Sequence, residues 1–235
     1  RHTQLINRYE QHPLPNTKII NLNLNKIKNR HISNETVNLV KTYLNKGDQV
    51  LFFINRRGFA PYLICKKCGY KLTCSNCSLY LTFHKFKNKA VCHHCSQEKS
   101  IKKNCKIENQ CEFIMYGPGV EKIFEEVKEI FPDKTIEIFS SDYLKNKTEA
   151  EKLFEKINLN KVDILVGTQM ISKGFNFPKL NCIVVIDADF SGRGYDLRTT
   201  EKNIPPYHQL SGRAGRFSPK SLIIFQTLTP HNIVL

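Results

Sequence analysis

Eight of the nine cysteines in this 235-residue chain lie between positions 65 and 111, and six of them form three Cys-x-x-Cys pairs. Such a turn points two thiolates at one tetrahedral ion, so each pair supplies half of a structural zinc site. A secreted disulfide scaffold is normally much shorter than this chain. The pairs are Cys65 and Cys68, Cys74 and Cys77, Cys92 and Cys95, and the more widely spaced Cys105 and Cys111. We therefore predict two structural zinc ions, each held by four cysteines.

The spacing of the pairs predicts which cysteines share an ion. Residues 78–91 separate the two inner pairs, a length that lets two knuckles face each other as in zinc ribbons. The outer two pairs then form a second, nested site, which the wider Cys105 to Cys111 spacing makes less regular. His93 and His94 are alternative ligands, or are solvated or in contact with phosphate. Cys182 lies in an apolar run and is predicted to be part of the core.

A second group of residues suited to chemistry is the string Gln209-Leu-Ser-Gly-Arg-Ala-Gly-Arg216. Arg213 and Arg216 are three residues apart, so on a helix they share a face. The small residues between them allow another backbone to approach closely. This face is able to present guanidinium groups to a γ-phosphate held on another lobe and to stabilise charge as the phosphoryl bond breaks. The alternative is a solvated basic helix with packing glycines.

Further candidates for phosphate contacts follow predicted strands. Gly167-Thr168-Gln169 ends a buried strand, and a Lys173-Gly174 turn comes next; amides and hydroxyls at a strand's carboxyl end suit the phosphates of DNA or nucleotide. Arg56 and Arg57 follow another strand and either contact a DNA backbone or pair with nearby acids. Asp187 and Asp189 follow a third strand, where they bind a metal, cap a turn or pair with an arginine.

Alternating apolar runs and helical periodicity indicate the elements that must position these residues. Strands are predicted at residues 18–24, 49–54, 112–116, 135–139, 163–166, 182–186 and 222–226, and helices at residues 34–46 (with Ser33 as the cap and Gly47 as the stop), 120–131, 150–157 and 207–214. This order implies an α/β fold with a parallel sheet covered by helices on both faces. We predict a connecting segment over 1–33, a lobe formed by 34–61 and 112–235, and a zinc-binding insert over 62–111.

Net charge and the distribution of apolar residues limit the classes to which this protein can belong. A net charge of +15 and a pI of about 9.4 favour a polyanionic partner, with a solvated lysine-rich surface as the alternative. No run of about 18 apolar residues occurs, so no membrane-spanning helix is predicted. The chain opens with Arg1-His2-Thr3 and has no signal-like start, from which we expect that it begins within a longer protein.

In the types and order of its motifs, the chain resembles the replication-restart DNA helicases of superfamily 2. The motifs are Phe53-Ile-Asn-Arg-Arg-Gly-Phe-Ala-Pro61, the eight-cysteine segment, the Gly167 and Lys173 segment, and the Gln209 string. The resemblance runs from about residue 35 to the end of the chain. It implies a RecA-like second lobe, the nested zinc pairing and an ATP-driven 3′-to-5′ DNA helicase that loads the replisome at stalled forks. It also implies ATP with Mg, forked or single-stranded DNA, primosome and single-strand-binding proteins as partners, and the bacterial cytoplasm, associated with the nucleoid, as the location.

The resemblance also implies roles for individual residues. Gln209, Arg213 and Arg216 would be catalytic, Gly174 and the two arginines would contact nucleotide, and Arg56, Arg57, Thr168, Gln169 and Lys173 would contact DNA. The chain departs from the family pattern at Val120, where Thr is usual, and at Asn176, where Asp or His is frequent. It contains no Gly-x-x-x-x-Gly-Lys-Ser/Thr and no Asp-Glu-x-His string, so we predict no ATPase activity for the chain alone. Alternatives are a zinc-ribbon module that binds nucleic acid or a partner without turnover, a decayed remnant, and an RNA substrate.

Overall fold

The structure, a computed structural model, has two compact units. It describes residues 14–24, 30–54, 62–65, 70–84, 88–100, 113–116, 119–141, 143–144, 146–168, 177–188, 199–214, 220–228 and 230–231. The first unit consists of Arg1–Asn55 and Glu126–Leu235, and the second of Arg56–Glu125. The second unit is therefore longer at both ends than the insert predicted over 62–111.

A six-stranded parallel sheet forms the centre of the first unit. Its strands are β1 (Asn16–Asn21), β2 (Gln49–Ile54), β8 (Ile136–Phe139), β9 (Ile164–Gly167), β10 (Leu180–Ile186) and β11 (Leu222–Thr227). They lie in the order β1-β11-β10-β2-β9-β8, and every neighbouring pair is parallel. All six residues of β2 are buried, as expected of a strand that is covered on both faces. The predicted α/β class is confirmed.

Helices cover both faces of this sheet. Side chains of α3 (Lys147–Asn158) and α4 (Thr199–Ser211) share one core cluster with Leu51 and Phe53 of β2. The side chain between them, Phe52, points to the opposite face because side chains alternate along a strand. There it packs against Phe131, which follows α2 (Val120–Ile130), with 6.5 Å between the ring centroids.

Helix α1 (Asn34–Leu44) begins at the predicted residue and ends two residues before the predicted end at residue 46. The Ser33 side chain accepts a hydrogen bond from the backbone N–H of Thr36, at 3.1 Å, and so caps the first turn. Gly47 has a φ of +77°, a left-handed conformation that glycine adopts without steric cost. The chain can therefore turn sharply from α1 into β2.

The second unit is built from short antiparallel strands. They are β3 (Tyr62–Cys65), β4 (Thr82–His84), β5 (Lys89–Val91), β6 (Glu98–Ser100) and β7 (Phe113–Tyr116). Strand β7 pairs with β3, with Tyr62 opposite Tyr116, whereas β4, β5 and β6 form a separate three-stranded sheet. The strand predicted over 112–116 exists, but its predicted place in the parallel sheet was wrong. The periodicity of a segment predicts that it forms a strand, but it does not predict which other strand it pairs with.

Helix α4 starts eight residues earlier than the predicted start at Tyr207 and ends at Ser211. Pro205 and Pro206 lie inside it. A proline inside a helix lacks the N–H for an intrahelical bond, which is why the sequence favoured a later start. After the helix, the N–H group of Gly212 donates to the carbonyl of His208, and that of Arg213 donates to the carbonyl of Leu210. These bonds form one further tight turn. None of the helices described is long and apolar enough to cross a membrane.

Candidate functional sites

Four cysteine side chains of the second unit converge on one point. The Sγ atoms of Cys74, Cys77, Cys92 and Cys95 all lie within 4.8 Å of one another. The Cys74–Cys95 and Cys77–Cys92 pairs are 3.5 and 3.4 Å apart, and Cys77 and Cys95 are 3.8 Å apart. These are the four residues predicted to form the inner zinc site.

The sulfur distances fit a tetrahedral ion. A disulfide requires about 2.05 Å between two sulfurs, which is far shorter than the separations found here. Four thiolates at about 2.3 Å from one zinc ion lie about 3.8 Å apart, close to the observed values. A bound zinc ion would link the two knuckles. Because four protein ligands would fill its coordination sphere, no position would remain for a reacting water molecule.

The two knuckles have the same backbone construction. In each, the N–H of the first cysteine donates to the carbonyl five residues later: Cys74 to Leu79 at 2.7 Å, and Cys92 to Gln97 at 2.9 Å. The residue after each second cysteine is a serine with positive φ, 59° at Ser78 and 60° at Ser96. Each local sequence thus folds into the turn that aims its two sulfurs at the other knuckle.

Backbone N–H groups make two of these sulfurs better thiolates. The N–H groups of Cys95 and then His94 outweigh desolvation and lower the pKa of Cys92 to about 6. Desolvation raises the pKa of Cys74, but hydrogen bonds from the N–H groups of Asn76 and Cys77 outweigh it, and the net shift is downward. Because zinc binds the thiolate and not the thiol, these donors favour metal binding.

One residue close to this cluster had no signal in the sequence. The Gln97 side-chain Oε1 lies 2.9 Å from the Cys74 sulfur, and its amide nitrogen donates to the Ser75 hydroxyl at 3.0 Å. Gln97 therefore joins one knuckle to the other beside the sulfurs. Its neighbour in space lies more than twenty residues away in sequence, so no local pattern could have indicated this contact.

Only one cysteine of the predicted outer site lies within the described residues. Cys65 is buried, next to Tyr70 and Phe113, and its N–H donates to the carbonyl of Tyr70 at 2.8 Å. Cys68, Cys105 and Cys111 lie outside the described residues, as do Asp189 and Arg216. Cys182 is buried in β10, where desolvation and then the charge of Asp48 raise its pKa to about 12, in agreement with its prediction as a core residue.

In the first unit, three neighbouring parallel strands bring candidate segments to one edge of the sheet. Strands β2, β9 and β10 are adjacent, so their carboxyl ends lie at the same edge. Thr168 follows β9; it is 3% exposed, and its N–H donates to the carbonyl of Phe139 at 3.3 Å. Asp187 follows β10 and has a φ of +51°. The candidates Arg56, Arg57, Gln169, Lys173 and Gly174 lie outside the described residues.

The Gln209 string is anchored by its apolar side chains. Tyr207, Leu210 and Ala214 are buried in the core cluster of the sheet. The Tyr207 hydroxyl also donates to the carbonyl of Ala188, just after β10, at 3.4 Å. With this face held, Gln209 is exposed and Arg213 is partly exposed. The helix and the turn that follows it thus leave these two polar side chains at the surface of the unit.

Comparison with known families agrees with both sites. Residues 87–218, more than half of the chain, match the helicase conserved C-terminal domain, and the chain belongs to that family. This agrees with the second RecA-like lobe predicted from the sequence. Residues 74–99, which contain the four converging cysteines, match the Cys-rich region domain of the PriA DNA helicase.

The chain is also similar to individual PriA proteins. The chain is 40% identical over 233 residues to the replication restart protein PriA of Rickettsia felis, covering 98% of this chain and 36% of the relative. It is 34% identical over 213 residues to PriA of Haemophilus influenzae, covering 89% of this chain and 29% of the relative. For PriA of Bacillus subtilis the identity is 34% over 197 residues, 83% of this chain and 24% of the relative. The chain thus spans about a third or less of the length of these relatives.

Proposed function

We propose that this chain is the second motor lobe, with its zinc-binding insert, of an ATP-dependent 3′-to-5′ DNA helicase that acts in primosome assembly and the restart of stalled replication forks. Membership of the helicase C-terminal domain family and the similarity to PriA support this proposal. The observation that carries it is the anchoring of α4, which buries Tyr207 and Leu210. This leaves Gln209 exposed and Arg213, in the turn after α4, partly exposed.

Arg213 and Arg216 would act as arginine fingers on a nucleotide bound by another lobe. ATP with Mg, when bound there, supplies the phosphoryl group whose transfer drives the motor. The guanidinium groups would stabilise the charge that builds up on this group, which is worth about 10³ to 10⁵ in rate. Gln209 would position the reacting groups beside them, and the Gly174 backbone would approach the nucleotide. Because another lobe would bind the nucleotide, we predict that the chain alone does not hydrolyse ATP.

DNA would be bound along the edge where β2 and β9 end. Arg56, Arg57, Thr168, Gln169 and Lys173 would contact backbone phosphates. Thr168 is buried just after the end of β9, so it has little exposed side chain to offer. Phosphate contacts give little base specificity, so forked or single-stranded DNA of any sequence should bind. The net charge of +15 supports a polyanionic partner. Primosome and single-strand-binding proteins would be further partners, in the bacterial cytoplasm with the nucleoid.

A second zinc ion, held by Cys65, Cys68, Cys105 and Cys111, is part of this proposal. The hydrogen bond from Cys65 to Tyr70 supports it, because it spans the same five residues as the bonds that begin the two inner knuckles. Cys65 would thus open a third knuckle of the same kind. Both ions would be structural, and they would hold the insert in one conformation.

The test uses the purified 235-residue chain and fluorescently labelled forked DNA. We expect binding whose affinity falls linearly, on logarithmic axes, as salt rises, and no release of phosphate from ATP. Competition with RNA of the same sequence then tests the substrate class. Steady ATP turnover by the pure chain would overturn the assignment of the nucleotide to another lobe. Salt-insensitive binding, or a clear preference for RNA, would overturn the DNA motor.

A further inference from the structure

We propose that His84 and His93 form a second kind of metal site in the unit that holds the four cysteines: a two-imidazole site for a divalent transition-metal ion. The Nε2 atoms of the two rings face each other at 3.2 Å. Neither residue is among the eight cysteines predicted to hold zinc, although His93 was considered as an alternative ligand there, and the helicase function proposed above requires neither. Imidazole nitrogen suits zinc, copper and nickel ions.

The ring geometry fits an ion shared by the two histidines. A tetrahedral ion with imidazole nitrogens at about 2.0 to 2.1 Å places two of them about 3.3 to 3.4 Å apart and their ring centroids about 5.2 Å apart. The observed ring centroids are 5.1 Å apart, with the rings inclined at 63°. At the observed Nε2–Nε2 separation of 3.2 Å, two rings joined in line by one hydrogen bond would have centroids farther apart, at about 5.5 Å. The two rings are therefore tilted away from an in-line arrangement, as they would be around a shared ion.

A buried carboxylate prepares His84 for this role. The Nδ1 atom of His84 lies 3.5 Å from Oε1 of Glu121, and the two side chains are only 3% and 2% exposed. A carboxylate beside Nδ1 favours the tautomer that carries its proton there, which leaves Nε2 as a lone pair directed at His93. Carboxylate–histidine–metal arrangements are common in proteins and raise the basicity of the ligand.

The two histidines are also held by rigid elements. His84 ends β4, where it pairs with Lys89 of β5. His93 lies between Cys92 and Cys95, so the inner knuckle fixes its backbone. Its side chain is exposed, which leaves solvent-facing positions where water or another ligand completes the coordination of the ion. The site therefore differs from the closed cysteine cluster, because a two-histidine ion keeps open positions.

The test counts metal ions on tag-free chain whose cysteines have first been loaded with zinc. Equilibrium dialysis against Ni²⁺ at neutral pH should show one more bound Ni²⁺ per chain in the wild type than in His93→Ala. His94→Ala is the matched control, because His94 is the adjacent exposed histidine of the same turn and should retain the full count. Zinc content measured in the same samples checks the cysteine cluster, and His93→Gln is a milder second variant.

Two results would overturn the site. Equal Ni²⁺ uptake by wild type, His93→Ala and His93→Gln would show that the pair makes only a direct hydrogen bond. Loss of the same ion in His94→Ala would show adventitious binding by surface histidines. Glu121→Gln tests the carboxylate separately: removal of a carboxylate behind a metal-bound histidine should weaken Ni²⁺ binding about 10- to 100-fold. An unchanged affinity would remove Glu121 from the site.

Discussion

Both carboxylate oxygens of Glu126 accept a hydrogen bond from the backbone N–H of His31, at 2.8 and 3.0 Å. The N–H of Ile32 donates to the same carboxylate at 2.9 Å. Glu126 is only 8% exposed, so a charged group is held in the first unit by backbone donors that immediately precede α1. A buried charge is tolerated when hydrogen bonds of this kind satisfy it.

A second buried side chain completes this attachment. Oε1 of Gln226, in β11, accepts hydrogen bonds from the N–H of Ser33 and the hydroxyl of Thr36, both at 2.8 Å. Its amide nitrogen donates to the carbonyl of His31 at 2.9 Å. Residues 31–33 are therefore fixed from two sides by side chains distant in sequence. This network sets where α1 begins.

We predict that Glu126→Gln destabilises the chain by about 1 to 3 kcal/mol, the usual cost of leaving a buried partner unsatisfied. The new amide group would point a donor at the N–H of His31, which also donates. Glu129→Gln is the control, since Glu129 lies in the same helix but is exposed. Urea unfolding measures both variants. Equal free energies of unfolding for the two would contradict the structural role of Glu126.

Gly47 offers a test of backbone strain without steric clash. Its φ of +77° is unfavourable for residues with a Cβ, yet a Cβ added there would meet no atom within 4 Å. Gly47→Ala should therefore lower the free energy of unfolding by about 1 kcal/mol through conformation alone. Gly47→Asn should cost less, because Asn tolerates this conformation. Wild-type stability in the alanine variant would show that the turn relaxes to another backbone conformation.

The cysteine cluster predicts a difference between cysteines in zinc content. Cys77→Ser should bind one zinc ion fewer per chain than the wild type, because it removes one ligand of a four-sulfur site. Cys182→Ala is the matched control: it removes a thiol from the core of the sheet and should leave the zinc content unchanged. Elemental analysis of the two proteins makes the comparison. Equal zinc content would mean that the four sulfurs do not hold an ion.

Much of the fold could be predicted because its signals are local. Strand β2 was predicted at its observed bounds, since its five residues after Gln49 form an unbroken apolar run that is buried on both faces of the sheet. The inner cysteines are likewise recognisable, because a Cys-x-x-Cys turn aims both sulfurs without help from the rest of the chain. In α1 the cap at Ser33 and the stop at Gly47 lie next to the helix itself.

What could not be predicted depends on contacts between distant residues. The pairing of β7 with β3 joins segments about fifty residues apart, and nothing in either strand specifies the other. His84 and His93 meet only because the β4–β5 hairpin turns one toward the other. Glu126 and Gln226 are ordinary polar residues in the sequence, and only the folded chain brings their side chains to residues 31–33.

Arg213 provides the sharpest test of the proposed motor. In a chimera where this chain replaces the matching 233 residues of Rickettsia felis PriA, Arg213→Ala should reduce DNA-stimulated ATP turnover by about 10³- to 10⁵-fold. Arg213→Lys should recover little of this, because lysine lacks the planar fork that engages two phosphate oxygens. Arg30→Ala, at an exposed arginine before α1, is the control and should keep the activity of the parent chimera. Forked-DNA affinity should stay near that of the parent in all three variants, which separates phosphoryl transfer from DNA binding. An Arg213→Ala chimera that hydrolyses ATP at the parent rate would show that this guanidinium does not reach the nucleotide.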